Sequence, residues 1–306
     1  MENLTNIQVV KSIMEKHGFH FSKKLGQNFL INPSVCPRIA ELGNAAPGYG
    51  VLEIGTGIGV LTAELAKRAD KVTAVEVDAR LLPILEETVG EYKNLHIIHS
   101  DILACDLQKL IEEEFPGLKV AVCANLPYYI TTPILMYLLE SRAPIDTITV
   151  MVQKEVADKL FAQVGTRAAG AITVAVNYYG TVEKLFSVSR GSFMPAPNVD
   201  SAVIQIRVGS PWHEKVKDSA HFFRMVKCGF QQRRKTLVNA LSGVMGYDKN
   251  TVTSVLDDLS LPAAVRIEAL TMQQLADLSN ALICFEAGRK KSENEKKTGQ
   301  MRGNVL

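Results

Sequence analysis

Over the first 150 residues, short apolar runs rich in β-branched side chains alternate with stretches whose apolar positions recur every three or four residues. The runs Val51–Ile54, Val72–Glu76, Leu95–Ile98, Val120–Ala124 and Thr147–Val152 predict strands. The stretches Val60–Arg68, Ala79–Val89, Leu107–Phe115 and Pro133–Glu140 predict amphipathic helices between them. Strands alternating with helices predict an α/β fold with a doubly wound parallel sheet. Two later runs, Ile172–Tyr178 and Ala202–Val208, have strand character and only loop between them, so they read as an antiparallel pair at one sheet edge. Gly209–Trp212 reads as a linker, and the pattern beyond it is helical to about Phe285 with a break at Leu261-Pro262. The expected organisation is a sheet domain over 1–209, a smaller all-helical domain over 210–287 and a polar, disordered tail over 288–306.

Composition narrows the class. Of 306 residues, 47% are hydrophobic and 22% charged, which excludes a disordered or collagen-like chain. No apolar run approaches the roughly 18 residues of a membrane helix, and the N-terminus lacks the apolar core of a signal peptide, so a cytoplasmic protein is expected. Five scattered cysteines without a Cys-x-x-Cys pair fit reduced thiols and predict no metal site. The net charge of +2 hides an asymmetry. Residues 219–247 hold five bases (Arg224, Lys227, Arg233, Arg234, Lys235) and no acid, and the tail from Gly288 carries a net +4, which leaves −7 for everything else. A basic C-terminal third on an acidic body points to a polyanionic partner; the plainer reading is a solvated helix face.

The first strand runs into Gly55-Thr-Gly-Ile-Gly59 and then a helix. Glycines there let backbone approach a ligand, and the helix N-terminus directs amides at it. A dinucleotide fingerprint would need glycine at position 60, which is Val60, so a cofactor without phosphates, such as S-adenosylmethionine, fits Gly55 and Gly57 better. Glu76, 21 residues after Gly55 at the end of the second strand, is placed to accept ribose hydroxyls. Asp101, after the third strand, is placed to accept an adenine amino group, with the Ile102 amide reaching a ring nitrogen. Both acids also read as helix caps, although Asp78 is the better cap for the Ala79 helix.

The fourth strand ends in Asn125-Leu126-Pro127-Tyr128, where a doubly wound sheet presents the cofactor's reactive end. An exocyclic adenine amine is a poor nucleophile because its lone pair is delocalised into the ring. The Asn125 side-chain oxygen and the Leu126 carbonyl can each accept one of its N–H bonds, which draws the nitrogen toward tetrahedral geometry and frees the lone pair. Pro127 holds Leu126 extended and aims its carbonyl. Tyr128 offers a ring on which an extruded base can stack, worth about 1–3 kcal/mol. No strong base is needed, and positioning carries most of the rate.

Four stretches then carry a resemblance: Ser22–Leu30, Asn125–Ile130 with Thr131, Thr132 and Pro133, Phe193–Ser201, and Gln232–Leu237. Together they resemble the ribosomal RNA adenine N6,N6-dimethyltransferases, specifically the small-subunit (16S) branch. The resemblance implies a Rossmann-like class I methyltransferase sheet with a helical C-terminal domain. It implies S-adenosylmethionine as cofactor and two successive methylations on each of two adjacent adenosines in a hairpin of small-subunit rRNA, within the 30S subunit or its precursor. Carried over by position, it implies that Asn28, Leu30, Gly55, Glu76, Asp101 and Asn125 contact the cofactor, that Lys23 and Lys24 face RNA phosphate, and that Phe193 meets the target base opposite Tyr128. Thr56 stands where proline is common and Tyr129 where asparagine is common, and neither removes a group the chemistry uses.

On a helical wheel Arg224, Lys227, Gln231 and Lys235 share one face, while Arg233 points away and Gly229 weakens the helix; a break near 231–233 would reconcile these. With Arg234, these bases would hold backbone phosphates, and the target adenines must be flipped or unpaired. A monomer is expected. The rival readings are the large-subunit branch, a non-catalytic ribosome-assembly factor and a nicotinamide oxidoreductase.

Overall fold

The computed structural model describes residues 3–22 and 25–285. The chain packs as two units: residues up to Phe161 with Gly180–Gly209, and Ala162–Tyr179 with the chain from Ser210 on.

The first unit is built on nine strands: β1 (Phe29–Leu30), β2 (Tyr49–Ile54), β3 (Lys71–Glu76), β4 (Leu95–His99), β5 (Lys119–Asn125), β6 (Thr147–Gln153), β7 (Gly180–Val188), β8 (Phe193–Met194) and β9 (Ser201–Val208). Seven of them form one sheet in the order β4-β3-β2-β5-β6-β9-β7. β4, β3, β2, β5 and β6 are parallel. β9 and then β7 add antiparallel. Order reverses at β2, where β3 departs to one side and β5 to the other, and the crevice at such a switch point is where ligands bind. β2, β3, β5 and β6 are apolar and buried almost throughout, as strands covered by helices on both faces must be. Their helices are Val60–Ala66, Leu82–Val89, Leu107–Glu114 and Thr131–Glu140.

An N-terminal helix, Ile7–Lys16, opens on Asn6, whose side chain accepts the Gln8 amide. It buries Val10 and Ile13 in a cluster with Leu81, Ile84 and Leu85. The chain then returns as β1, which pairs antiparallel with β8 (Phe29↔Met194, Leu30↔Phe193). Two of the stretches that carried the resemblance, distant in sequence, are thereby joined.

The second unit gathers Phe222, Met225, Leu237, Leu241, Leu256 and Leu275 in one core. Its helices include Ser219–Gln231, Leu237–Met245 and Lys249–Asp258, with residues 272–285 also helical.

One element departs from expectation. Ile172–Tyr178 is not a strand but part of the helix Ala171–Tyr179, and it belongs with the second unit rather than inside a continuous 1–209 domain. β7, the following segment, is the edge strand that pairs with β9. The β-branched run favours a strand locally by less than about 1 kcal/mol per residue. Packing reverses it: Val174 and Tyr178, one helical turn apart, bury in the second unit's core, where Tyr178 meets Phe222 and Phe223 at ring-centroid distances of 5.4 and 4.9 Å. The expected tail over 288–306 lies outside the described residues.

Candidate active site

The carboxyl ends of β2, β3 and β5 open onto a cleft of about 1110 Å³, including its solvent-open part. Every one of the expected cofactor and catalytic residues lines it: Asn28, Leu30, Gly55, Gly57, Glu76, Asp101, Ile102, Asn125, Leu126, Pro127 and Tyr128, and so does Phe193. Lys23 and Lys24 lie outside the described residues.

The glycine loop is left-handed at each glycine, φ 76° at Gly55, 55° at Gly57 and 91° at Gly59. A side chain on Gly55 would point into open space, so what the glycine supplies is bare backbone at the cleft floor. A Cβ on Gly57 would come within 3.2 Å of the Phe29 ring, which lies over the loop. Gln27 holds this covering segment in place by donating to the Asp78 carboxylate at 2.7 Å.

Glu76 is buried, and its carboxylate accepts three protein hydrogen bonds. Oε2 takes the Thr56 amide and hydroxyl, and Oε1 takes the Asp78 amide, all at 2.9 Å. Thr56 is therefore more than a tolerated departure: proline would supply neither donor. Oε1, with one bond, keeps acceptor capacity for a ligand. Asp101 caps the short helical turn Ile102–Ala104 through Oδ1, which accepts the Leu103 amide at 3.0 Å, and Oδ2 has no partner among the described residues. The capping role and a ligand role thus fall on different oxygens.

Asn125 lies one residue beyond the pairing Ile54↔Ala124, level with Gly55. Its side chain makes no hydrogen bond among the described residues. The next carbonyls divide their work. That of Pro127 accepts the Ile130 amide at 3.2 Å and the Thr131 hydroxyl at 3.1 Å, closing the turn. That of Leu126 accepts from no described donor. Tyr128 is half-buried and its hydroxyl is hydrogen-bonded to the Ser201 hydroxyl at 2.7 Å, which fixes the ring; burial raises the phenol above its ordinary range, against a smaller lowering by Ser201. Tyr129 is 60% exposed, whereas Phe193 is only 3% exposed and packs into the core while lining the cleft.

The cleft is acidic. Glu53, Glu76 and Asp101 line it, and no Lys, Arg or His does so among the described residues. Burial, with a smaller contribution from Glu76, pushes the Glu53 carboxyl up to about 8; the nearby Thr62 hydroxyl opposes the rise without reaching hydrogen-bonding geometry. Such a site suits a ligand with cationic character and no phosphate, which fits S-adenosylmethionine and not a dinucleotide.

Glu53, Gln27 and Ser201 were not among the residues expected at the site from sequence. An acid inside the apolar run Val51–Ile54 was a visible signal for Glu53; Gln27 and Ser201 fall within Ser22–Leu30 and Phe193–Ser201, but their partners are 51 and 73 residues away.

In the second unit, the helix Ser219–Gln231 ends where expected and residues 232–234 turn before Leu237–Met245. Arg224, Lys227, Arg234 and Lys235 are exposed and form no ion pair among the described residues. Arg233 instead lies 3.4 Å from Glu268 and donates to the Arg167 carbonyl.

A parallel sheet with antiparallel β9 and β7, a glycine loop after the strand at the switch point and acids after the next two strands define a class I methyltransferase. Residues 18–283 match the family described as ribosomal RNA adenine dimethylase, and the chain belongs to that family. It is 47% identical over 276 residues to the ribosomal RNA small subunit methyltransferase A of a Geobacillus species (89% of this chain, 95% of the relative). It is 45% identical over 287 residues to the protein of that name from Bacillus mycoides (92% and 98%). Among solved structures, a dimethyladenosine transferase from Plasmodium falciparum shares the fold (TM-score 0.69, 24% identity, 82% of this chain and 95% of that one). The 23S rRNA methyltransferase ErmE matches with TM-score 0.63 at 29% identity (83% and 99%).

Proposed function

We propose that this protein uses S-adenosylmethionine to dimethylate the N6 amines of two adjacent adenosines in a hairpin of small-subunit rRNA, in the cytoplasm and as a monomer, during maturation of the 30S subunit. The observation that carries this reading is a pair of oxygen acceptors, Asn125 Oδ1 and the Leu126 carbonyl, which make no bond within the described chain and line an acidic cleft.

The cofactor supplies a methyl group on a positively charged sulfur. Glu76 and Asp101 would hold its ribose and adenine, and the bare backbone at Gly55 would admit the rest. In the first transfer Asn125 and Leu126 each accept one N–H of the target amine, and in the second one of them accepts the single N–H that remains, which localises the lone pair on nitrogen. Positive charge develops on that nitrogen as it is alkylated, so both acceptors bind the transition state more strongly than the ground state. After transfer the ammonium loses its proton to water. Tyr128, held by Ser201, receives the base on its ring. The exposed bases Arg224, Lys227, Arg234 and Lys235 hold phosphates and set register.

Identity to small-subunit enzymes over nearly the whole chain favours that substrate over the large subunit. Incubating the protein with methyl-labelled S-adenosylmethionine and either 30S or 50S particles tests the assignment. Label is expected in 30S rRNA as N6,N6-dimethyladenosine, and label confined to 50S overturns it.

A further inference from the structure

Glu53 is the fourth of five consecutive β2 residues, Gly50 to Ile54, that pair on both sides; it lies opposite Ala74 and Cys123, so two neighbouring strands fix its backbone. It is 0% exposed and lines the floor of the cleft. Among the described residues neither carboxyl oxygen has a hydrogen-bond partner, and the neighbouring Thr62 hydroxyl has none either. A buried polar group left unsatisfied is destabilising, and an unpaired buried charge is more so.

The ionisable groups that face it bring no counter-charge. Cys36, on the helix Val35–Leu42, and Cys123, on β5, are both thiols held neutral by burial, and Glu53 itself raises them further. Glu76, on β3, is an acid, and Thr62, on the helix Val60–Ala66, is a hydroxyl. No Lys, Arg or His lines the cleft among the described residues. In the ligand-free protein the carboxyl is therefore protonated at neutral pH, held up to about 8. A cationic ligand seated in the cleft would supply the partner that the described residues do not.

We propose that Glu53 reads the charge on the cofactor's sulfur, ionising when the cationic methyl donor fills the cleft and reprotonating when the neutral sulfide product remains. This rests on the S-adenosylmethionine reading. On donor binding the carboxyl O–H breaks heterolytically and its proton goes to solvent. Once the methyl group has left, the carboxylate has no counter-charge and takes a proton back from solvent. Donor affinity then rises with pH up to about 8 and levels off, whereas product affinity gains nothing from Glu53. The residue so distinguishes substrate from product, two molecules that differ by one methyl group and one charge.

The test is calorimetry on the full chain with S-adenosylmethionine and with S-adenosylhomocysteine, in buffers of different ionisation enthalpy, for wild type and E53Q. Each ligand's own amino group titrates equally with both proteins and cancels between them. Near neutral pH the wild type is expected to release up to ~0.9 proton more than E53Q on donor binding, and no more than E53Q on product binding. The donor-to-product affinity ratio, taken relative to that of E53Q, is expected to rise by up to about ninefold from pH 6 to 7 and about fivefold from pH 7 to 8. Equal proton release by the two proteins overturns the proposal. Should E53Q fail to fold, difference infrared spectra of the wild type decide. The C=O stretch of a protonated carboxyl is expected to vanish with S-adenosylmethionine and persist with S-adenosylhomocysteine; persistence with both overturns the proposal. If neither ligand binds the wild type, the cofactor assignment itself falls, a result distinct from the others.

Discussion

At the scale of single residues, the chemistry turns on acceptors that no described donor occupies. The Asn125 amide and the Leu126 carbonyl differ from their neighbours because Pro127 takes both hydrogen bonds that close the turn. A hydrogen bond to a charged group contributes about 1.5–3 kcal/mol, so Asn125→Ala is expected to lower methyl transfer by roughly 10- to 150-fold, with cofactor affinity changed less. Single-turnover kinetics with a separate binding isotherm check this. Glu53 gives a pH signature in the ligand-free protein. Its folded pKa of about 8 lies above its ordinary 4.5, so between these values the unfolded chain binds fewer protons and stability falls as pH rises. Below about 4.5 and above about 8 this contribution is flat. Melting temperatures are expected to drop across that window in wild type, and E53Q is expected to flatten the drop and to be the more stable protein at pH 8. Most of these residues were legible in the sequence, because a glycine loop, a strand-end acid and a tetrapeptide are local patterns. Thr56 as a double donor to Glu76 and Ser201 as the anchor of Tyr128 were not, since each depends on a partner brought near only by the fold.

At the scale of elements, burial decides where propensity alone misleads. The run Ile172–Tyr178 has strand composition and yet folds as a helix, because its one-turn spacing places Val174 and Tyr178 in the same core. Gly229 teaches the same lesson in reverse. Propensity marks it as a weak point in the helix Ser219–Gln231, and Ala there should gain up to about 1 kcal/mol. However, a Cβ at that position would fall 2.6 Å from Ile267 Cδ1 and 2.9 Å from its Cβ and Cγ1. The glycine is the groove into which Ile267 packs, and overpacking such a contact typically costs about 1–3 kcal/mol. Gly229→Ala is thus expected to destabilise the protein by about 1–2 kcal/mol net, read as a lower denaturant midpoint. A raised midpoint would show that Ile267 can move away.

At the scale of the whole molecule, charge is divided by task. Acids line the cleft of the sheet unit, and free bases mark the helical unit. The sequence shows this division as an acid-free stretch over 219–247, although it could not tell Arg233, tied to Glu268, from the free bases around it. If Arg224, Lys227, Arg234 and Lys235 hold phosphate, each contact displaces a bound cation from the RNA. Changing all four to Ala is expected to reduce the slope of log affinity against log salt by about two to four, leaving cofactor affinity unchanged. An unchanged slope would remove these side chains from the RNA interface.

The proposed chemistry comes down to two oxygens and one amine, and a structure with adenosine and a non-reactive cofactor analogue bound shows whether they meet. The adenine N6 is expected within about 3 Å of both Asn125 Oδ1 and the Leu126 carbonyl. An N6 amine hydrogen-bonded to neither oxygen, with the base stacked on Tyr128, would contradict it.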